Sequence, residues 1–155
     1  GKGRRFNGTG DRVELQGKHC PNPAKQSITV SARFRPENTN GVVLAHGGAS
    51  WGYCLHLLDG RLAFTVTVDD VVTTATLPDR AIGNWIDAKA RLDEDGQLIL
   101  TAGANTARAK AAGPLQRKPQ DSLQIGADTG SRIGPAKDNR SFKGTIQRLR
   151  LVYGD

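Results

Sequence analysis

Apolar and polar positions alternate with a period of two along most of the chain, the pattern of strands that bury one face. In "SITVSARFRP", Ile28, Val30, Ala32 and Phe34 share one face while Ser31, Arg33 and Arg35 share the other, as far as Pro36. "RLAFTVTV" sets Leu62, Phe64, Val66 and Val68 against Arg61, Ala63, Thr65 and Thr67, and "WIDAKARL" sets Ile86, Ala88, Ala90 and Leu92 against Asp87, Lys89 and Arg91. Asp59-Gly60 and Asp95-Gly96 accept the positive φ angles of tight turns, so they predict hairpins joining "WGYCLHLL" to "RLAF" and "WIDAKARL" to "QLILTA". "NGVVLAHGG", "VVTTATL" ended by Pro78, "SLQIGAD" and "GTIQRLRLVY" read as further strands. Between Ala104 and Pro119 the alanines favour helix, but no apolar stripe is wide enough to bury, which predicts a short strand and a loop. About ten short strands with turn signals between them predict an all-β sandwich, without an interdomain linker or a repeat of fixed period.

Composition narrows this picture. A chain of 155 residues fits a single domain over 1–155 and buries enough surface for a core that needs no staples. No apolar run approaches the roughly 20 residues of a membrane helix, and Gly1 to Asn7 are basic and polar with no apolar segment after them, so neither a membrane span nor a signal peptide is expected. The formal charge is +7, and Arg132, Lys137, Arg140, Lys143, Arg148 and Arg150 face only Asp138 within their stretch. Such an excess attracts anionic partners by a long-range field that does not itself choose among nucleic acid, lipid and polysaccharide. With 5% aromatic residues and no stacking-platform motif, nucleic acid is disfavoured. Cys20 and Cys54 have no CxxC spacing and no Cys/His cluster around them, which argues against zinc and leaves a disulfide or two buried thiols open.

The order of motifs is more specific than any one of them. "RRFNGTGDRVEL", "ITVSARFRP", "NGVVLAHGG", "GYCLHLLDGRLAF", "NWIDAKARLDEDGQLIL", "LQIGAD" and "FKGTIQRLRL" together resemble the concanavalin-like jelly roll of the laminin-G superfamily, most closely the version appended to the carboxyl end of bacterial sulfatases. The resemblance runs from Arg5 to Leu151 and implies two curved antiparallel sheets packed face to face. It also implies glycan binding outside the cell or in the periplasm, as part of a longer chain that includes an enzyme. A brace for that parent enzyme, or a laminin-G-type protein-interaction domain, are the alternatives it carries. Calcium-using relatives place an acidic residue after the Ile of the last strand, where this chain has Gln147 after Ile146. A structural calcium at Asp11 and that strand therefore lacks an expected ligand, and no other cofactor is implied. Cys54 stands where the appended versions usually have a small residue, consistent with a bridge to Cys20 or with packing.

The hairpin at 51–64 supplies the candidate site. If Leu55 and Leu57 face the core, Cys54 and His56 face outward beside Arg61 and Thr65 of the next strand. His46 ends the preceding strand, and Trp51 and Tyr53 enter the hairpin. A sugar ring needs an aromatic platform and hydrogen-bond donors, and a sulfate or carboxylate on it needs Arg or His. The predicted ligand-binding set is His46, Trp51, Tyr53, His56 and Arg61, with Arg132, Lys137 and Arg140 at the rim, and its expected ligand is an acidic, sulfated polysaccharide. Tyr53 shares parity with Leu55, which also suits a core position, and Trp85 reads as a core plug. Arg33, Arg35, Lys89, Arg91 and Arg150 alternate outward elsewhere and offer a second basic surface. A retaining glycosidase needs carboxyl groups about 5 Å apart, and no strand supplies them. Asp93, Glu94 and Asp95 sit in a turn, as do Asp69 and Asp70, and His19, His46 and His56 accompany no nucleophile motif, so no enzymatic activity is expected.

Overall fold

The computed structural model describes residues 3–129, 133 and 141–154. Alternation resolves there into two six-stranded antiparallel sheets. The first sheet runs, in spatial order, β1 (Arg4–Asn7), β12 (Lys143–Tyr153), β3 (Ile28–Pro36), β8 (Ile86–Leu92), β9 (Gln97–Ala102) and β10 (Asn105–Lys110). The second runs β2 (Val13–Leu15), β11 (Leu123–Ile125), β4 (Val42–His46), β5 (Trp51–Leu58), β6 (Arg61–Val68) and β7 (Val71–Arg80). This is the predicted sandwich, with β10 as the short strand expected after Ala104.

Hydrophobic burial drives the sheets together through their matching apolar faces. Ile28, Val30 and Phe34 of β3 and Ala90 and Leu92 of β8 pack against Leu55 and Leu57 of β5 and Leu62, Phe64 and Val66 of β6. Phe142 fills one end, edge-on to both Phe6 at 6.0 Å and Phe34 at 6.1 Å between centroids. Gly126 makes room there: its φ is +89°, and a Cβ would lie 2.5 Å from the Phe6 ring.

Asp59 (φ 50°) and Gly60 (φ 83°) both adopt the left-handed region, as a type I′ hairpin requires. Asp93 turns the β8–β9 connection by accepting hydrogen bonds at Oδ1 from the backbone N–H of Asp95 (2.9 Å) and Gln97 (3.0 Å). One boundary differs from the sequence reading. β7 continues past Pro78 to Arg80, and the β6–β7 register shifts between Arg61 and Ala63, opposite that proline. Proline offers no N–H to a ladder, and β7 is an edge strand, where an irregularity of this kind is tolerated.

Leu57→Ala should lower stability by roughly 2–5 kcal/mol in chemical denaturation, because Leu57 is fully buried between the sheets and truncation leaves a cavity. A change below about 0.5 kcal/mol would show that this part of the core is not packed as described.

Candidate functional site

The hairpin delivers the expected parity but not the expected exposure. Leu55 and Leu57 face the core, and His56 lies on the opposite face of the second sheet, yet His56 is only 1% exposed and Thr65 beside it is fully buried. Val42, Ala45, Cys54 and Ile133 form a small apolar cluster on that face. His56 Nε2 lies 2.8 Å from Thr65 Oγ1, which lies 3.0 Å from Thr74 Oγ1. Burial pushes His56 down to about 4, so it is neutral at physiological pH and offers no charge to an anion. Period-two alternation reports which face a side chain takes, not whether that face is covered. The small apolar residues sharing it, Ala45, Cys54 and Ala63, were the available signal.

His46 is also interior. Its Nε2 lies 3.2 Å from Cys20 Sγ and its Nδ1 lies 3.3 Å from Tyr153 Oη, while its ring meets Tyr53 edge-on at 5.7 Å. The Tyr53 and Tyr153 hydroxyls are hydrogen-bonded to each other. Burial, with the Lys118 charge adding to it, lowers His46 to about 4, and burial raises both tyrosines. This cluster joins β4 and β5 of one sheet to β12 of the other. Tyr53 is thus a core residue, and Trp51 is half-buried against the same core.

Arg61 is exposed, but it faces Arg80 across the strand pair and its Nε donates to the Pro78 carbonyl at 3.0 Å. The five predicted hairpin residues therefore do not converge on one surface. Arg132, Lys137 and Arg140 lie outside the described residues. Neither cysteine is in a disulfide and both are buried, Cys20 beside His46 and Cys54 in the cluster on the other face of the second sheet. Asp11 accepts a hydrogen bond from the Asn7 N–H at 2.9 Å, and no group of three or more His, Cys, Asp or Glu able to hold a metal occurs among the described residues.

The outer face of the first sheet is open. A groove of about 910 Å³ crosses β12, β3, β8 and β9, with Arg33, Lys89, Arg148, Arg150, Ser31 and Thr101 in its lining. Inward neighbours of these residues form the core, so the alternation that buries Val30, Ala32 and Ala90 points the cations out. Asp87 holds Arg33 at 2.7 Å and Arg148 at 3.3 Å, and Arg33 Nε also donates to Gln147 Oε1 at 2.7 Å. Trp85 is 45% exposed, not a core plug, and its ring carries the Arg33 guanidinium at 5.0 Å from the centroid. A cation–π contact with a charged neighbour stabilises this exposed position, which apolarity alone did not reveal. A second hollow of about 320 Å³ continues from Asp87 past Trp85 to Asn84 and Asn105. Arg108 and Lys110 of β10 extend the basic face beyond the groove.

Neutral burial of His46 and His56 makes stability depend on pH. The unfolded chain binds protons on these rings near pH 6.5 and the folded chain only near 4, so stability is full above about pH 6.5 and declines as pH falls toward 4. The loss at His56 should be on the order of 3 kcal/mol, and His56→Gln should flatten that part of a urea-midpoint profile between pH 7 and 4.5. Glu14 and Glu37, whose carboxyls hydrogen bonds hold below the usual range, lose their contribution as pH falls through the ordinary carboxylate range, at the acid edge of this window, and they do so equally in the parent and in His56→Gln. An unchanged slope in His56→Gln would contradict the assignment.

No curated protein sequence matches the chain. The fold is shared with the mouse laminin alpha1 chain domains LG4-5, at 23% identity and a TM-score of 0.80, over 97% of this chain and 40% of that one. It is shared also with the CBM40 of a Ruminococcus gnavus IT-sialidase, at 16% identity and 0.74, over 100% of this chain and 91% of that one. A SAP-like pentraxin from Limulus polyphemus aligns at 16% identity and 0.67, over 95% of this chain and 73% of that one. Among the described residues no helix is long and apolar enough to cross a membrane. Residues 34–152, from near the end of β3 to the penultimate residue of β12, match the Laminin G domain family, and the chain belongs to that family.

Proposed function

We propose that this domain is a non-catalytic binding module for an acidic polysaccharide, with sulfated chains as its ligands, and that the outer face of the first sheet holds them. The observation that carries this reading is the open groove lined by Arg33, Lys89, Arg148 and Arg150 with the exposed Trp85 at its end. Guanidinium and ammonium groups bind sulfate or carboxylate through charge-assisted hydrogen bonds, hydroxyls such as Ser31 and Thr101 bind sugar hydroxyls, and an indole stacks on a pyranose. Asp87 orients Arg33 and Arg148, so part of the donor array is arranged before a ligand arrives. A structural likeness to a sialidase carbohydrate-binding module supports a sugar ligand in an appended setting. We place the domain outside the cell or in the periplasm, attached to an enzyme such as a sulfatase that it holds near its substrate.

Lys89→Ala and Arg150→Ala should each weaken binding to a sulfated polysaccharide about tenfold, with thermal stability unchanged because both side chains are exposed. Arg61→Ala should leave binding intact. Calorimetry at two salt concentrations checks both statements, and binding of the desulfated polymer as tight as that of the sulfated one would remove the electrostatic basis of the site.

A further inference from the structure

The strand register on this face carries more than a sign of charge. Arg150 of β12 pairs with Ser31 of β3, Ser31 pairs with Lys89 of β8, and Lys89 pairs with Thr101 of β9. One step along the strands, Arg91 pairs with Ile99, and Ile99 pairs with Arg108 of β10. The side chains of Arg150, Lys89 and Arg108 have no hydrogen-bond or ion-pair partner among the described residues. On intervening β3, Arg33 is held by Asp87, and Arg35, four residues along from Ser31 and outside this row, donates its Nε to the Gly83 carbonyl. Along this row the unpaired cations therefore stand on alternate strands, with Ser31, Thr101 and Ile99 between them.

Neighbouring strands are about 4.8 Å apart, which puts the Cα atoms of Arg150 and Lys89 about 10 Å apart. Arg108 lies two strands further and two residues along, about 12 Å from Lys89. A sugar ring in an extended polysaccharide advances by close to one strand spacing. Two rings thus separate cations on alternate strands.

We infer that the groove selects polysaccharides carrying one anionic group on every second sugar, laid across the strands so that three successive anions meet Arg150, Lys89 and Arg108. This rests on the reading of the face as a glycan site. Between the anions, the neutral ring sits over Ser31 or over Thr101 and Ile99, which supply hydroxyls and an apolar contact but no charge. A polymer sulfated on every sugar leaves one sulfate in each pair over a strand with no unpaired cation. The backbone of DNA, with a phosphate every 3.4 Å along each strand, fits the spacing no better.

Size-defined κ-carrageenan oligosaccharides, which bear one sulfate per disaccharide, test this by calorimetry at physiological salt. Affinity should rise about tenfold from disaccharide to tetrasaccharide and again to hexasaccharide, then level off at the octasaccharide. In Arg108→Ala the hexasaccharide should fall to within a factor of two of the tetrasaccharide, while the tetrasaccharide itself changes little. A plateau at another length, an equal loss for both oligomers in Arg108→Ala, or tighter binding per sulfate to dextran sulfate or to duplex DNA would overturn the spacing while leaving an anionic-glycan face in place. Absence of binding to every κ-carrageenan oligomer and to dextran sulfate would overturn the glycan site itself, and the spacing with it.

Discussion

Strand β3 is paired on both edges, by β12 and by β8, and its register leaves no freedom about which way its side chains point. Ile28, Val30 and Phe34 go into the core with nothing exposed, so Ser31, Arg33 and Arg35 go out. A slip of one residue would reverse the two sets and bury arginines at several kcal/mol each, which the apolar residues turned to solvent would not repay. The same constraint passes to β8 and β12, whose outward residues are Asp87, Lys89, Arg91, Arg148 and Arg150. Core packing and the charge of the outer face are thus one fact seen from two sides of a sheet.

Cations fixed this way repel one another, and their spacing limits the cost. About 10 Å separates the Cα atoms of Arg150 and Lys89, two strands apart, which exceeds the Debye length of about 8 Å at physiological ionic strength, so the repulsion between these two is largely screened. Charges on adjacent strands would be closer than that length. On β3, where an unpaired Arg33 would stand one strand from its neighbours, Asp87 and Gln147 take the guanidinium instead. A row of cations spaced in this way repels itself only weakly.

Much of this architecture was legible in the sequence because a half-buried strand writes its exposure into its alternation. The inward set of β3 and the outward arginines follow from that rule, and the hairpins at Asp59-Gly60 and Asp95-Gly96 follow from the positive φ that their glycines adopt. What alternation does not encode is a second covering layer, and so His56, correctly placed on the far face of β5, is buried there. His46 escaped for another reason. It lies two residues past a β-bulge between Val42 and Leu44, which reverses the facing of the rest of β4, and it meets Cys20, Tyr53 and Tyr153 from other parts of the chain. Trp85 was misread as core because size and apolarity suggest burial, whereas Arg33, far away in sequence, gives the ring a partner at the surface. The basic face of the first sheet was visible as a second surface, but its groove and its strand spacing needed the register.

Amide shifts of the ¹⁵N-labelled domain, followed as a sulfated oligosaccharide is added, test most directly that this face is the binding face. Perturbations centred on Ser31, Lys89, Thr101 and Arg150, with the Trp85 indole moving in step, are the expected result. Perturbations centred instead on the small hollow around Trp51, Arg117 and Lys118 at the other sheet, with the first sheet silent, would contradict the account.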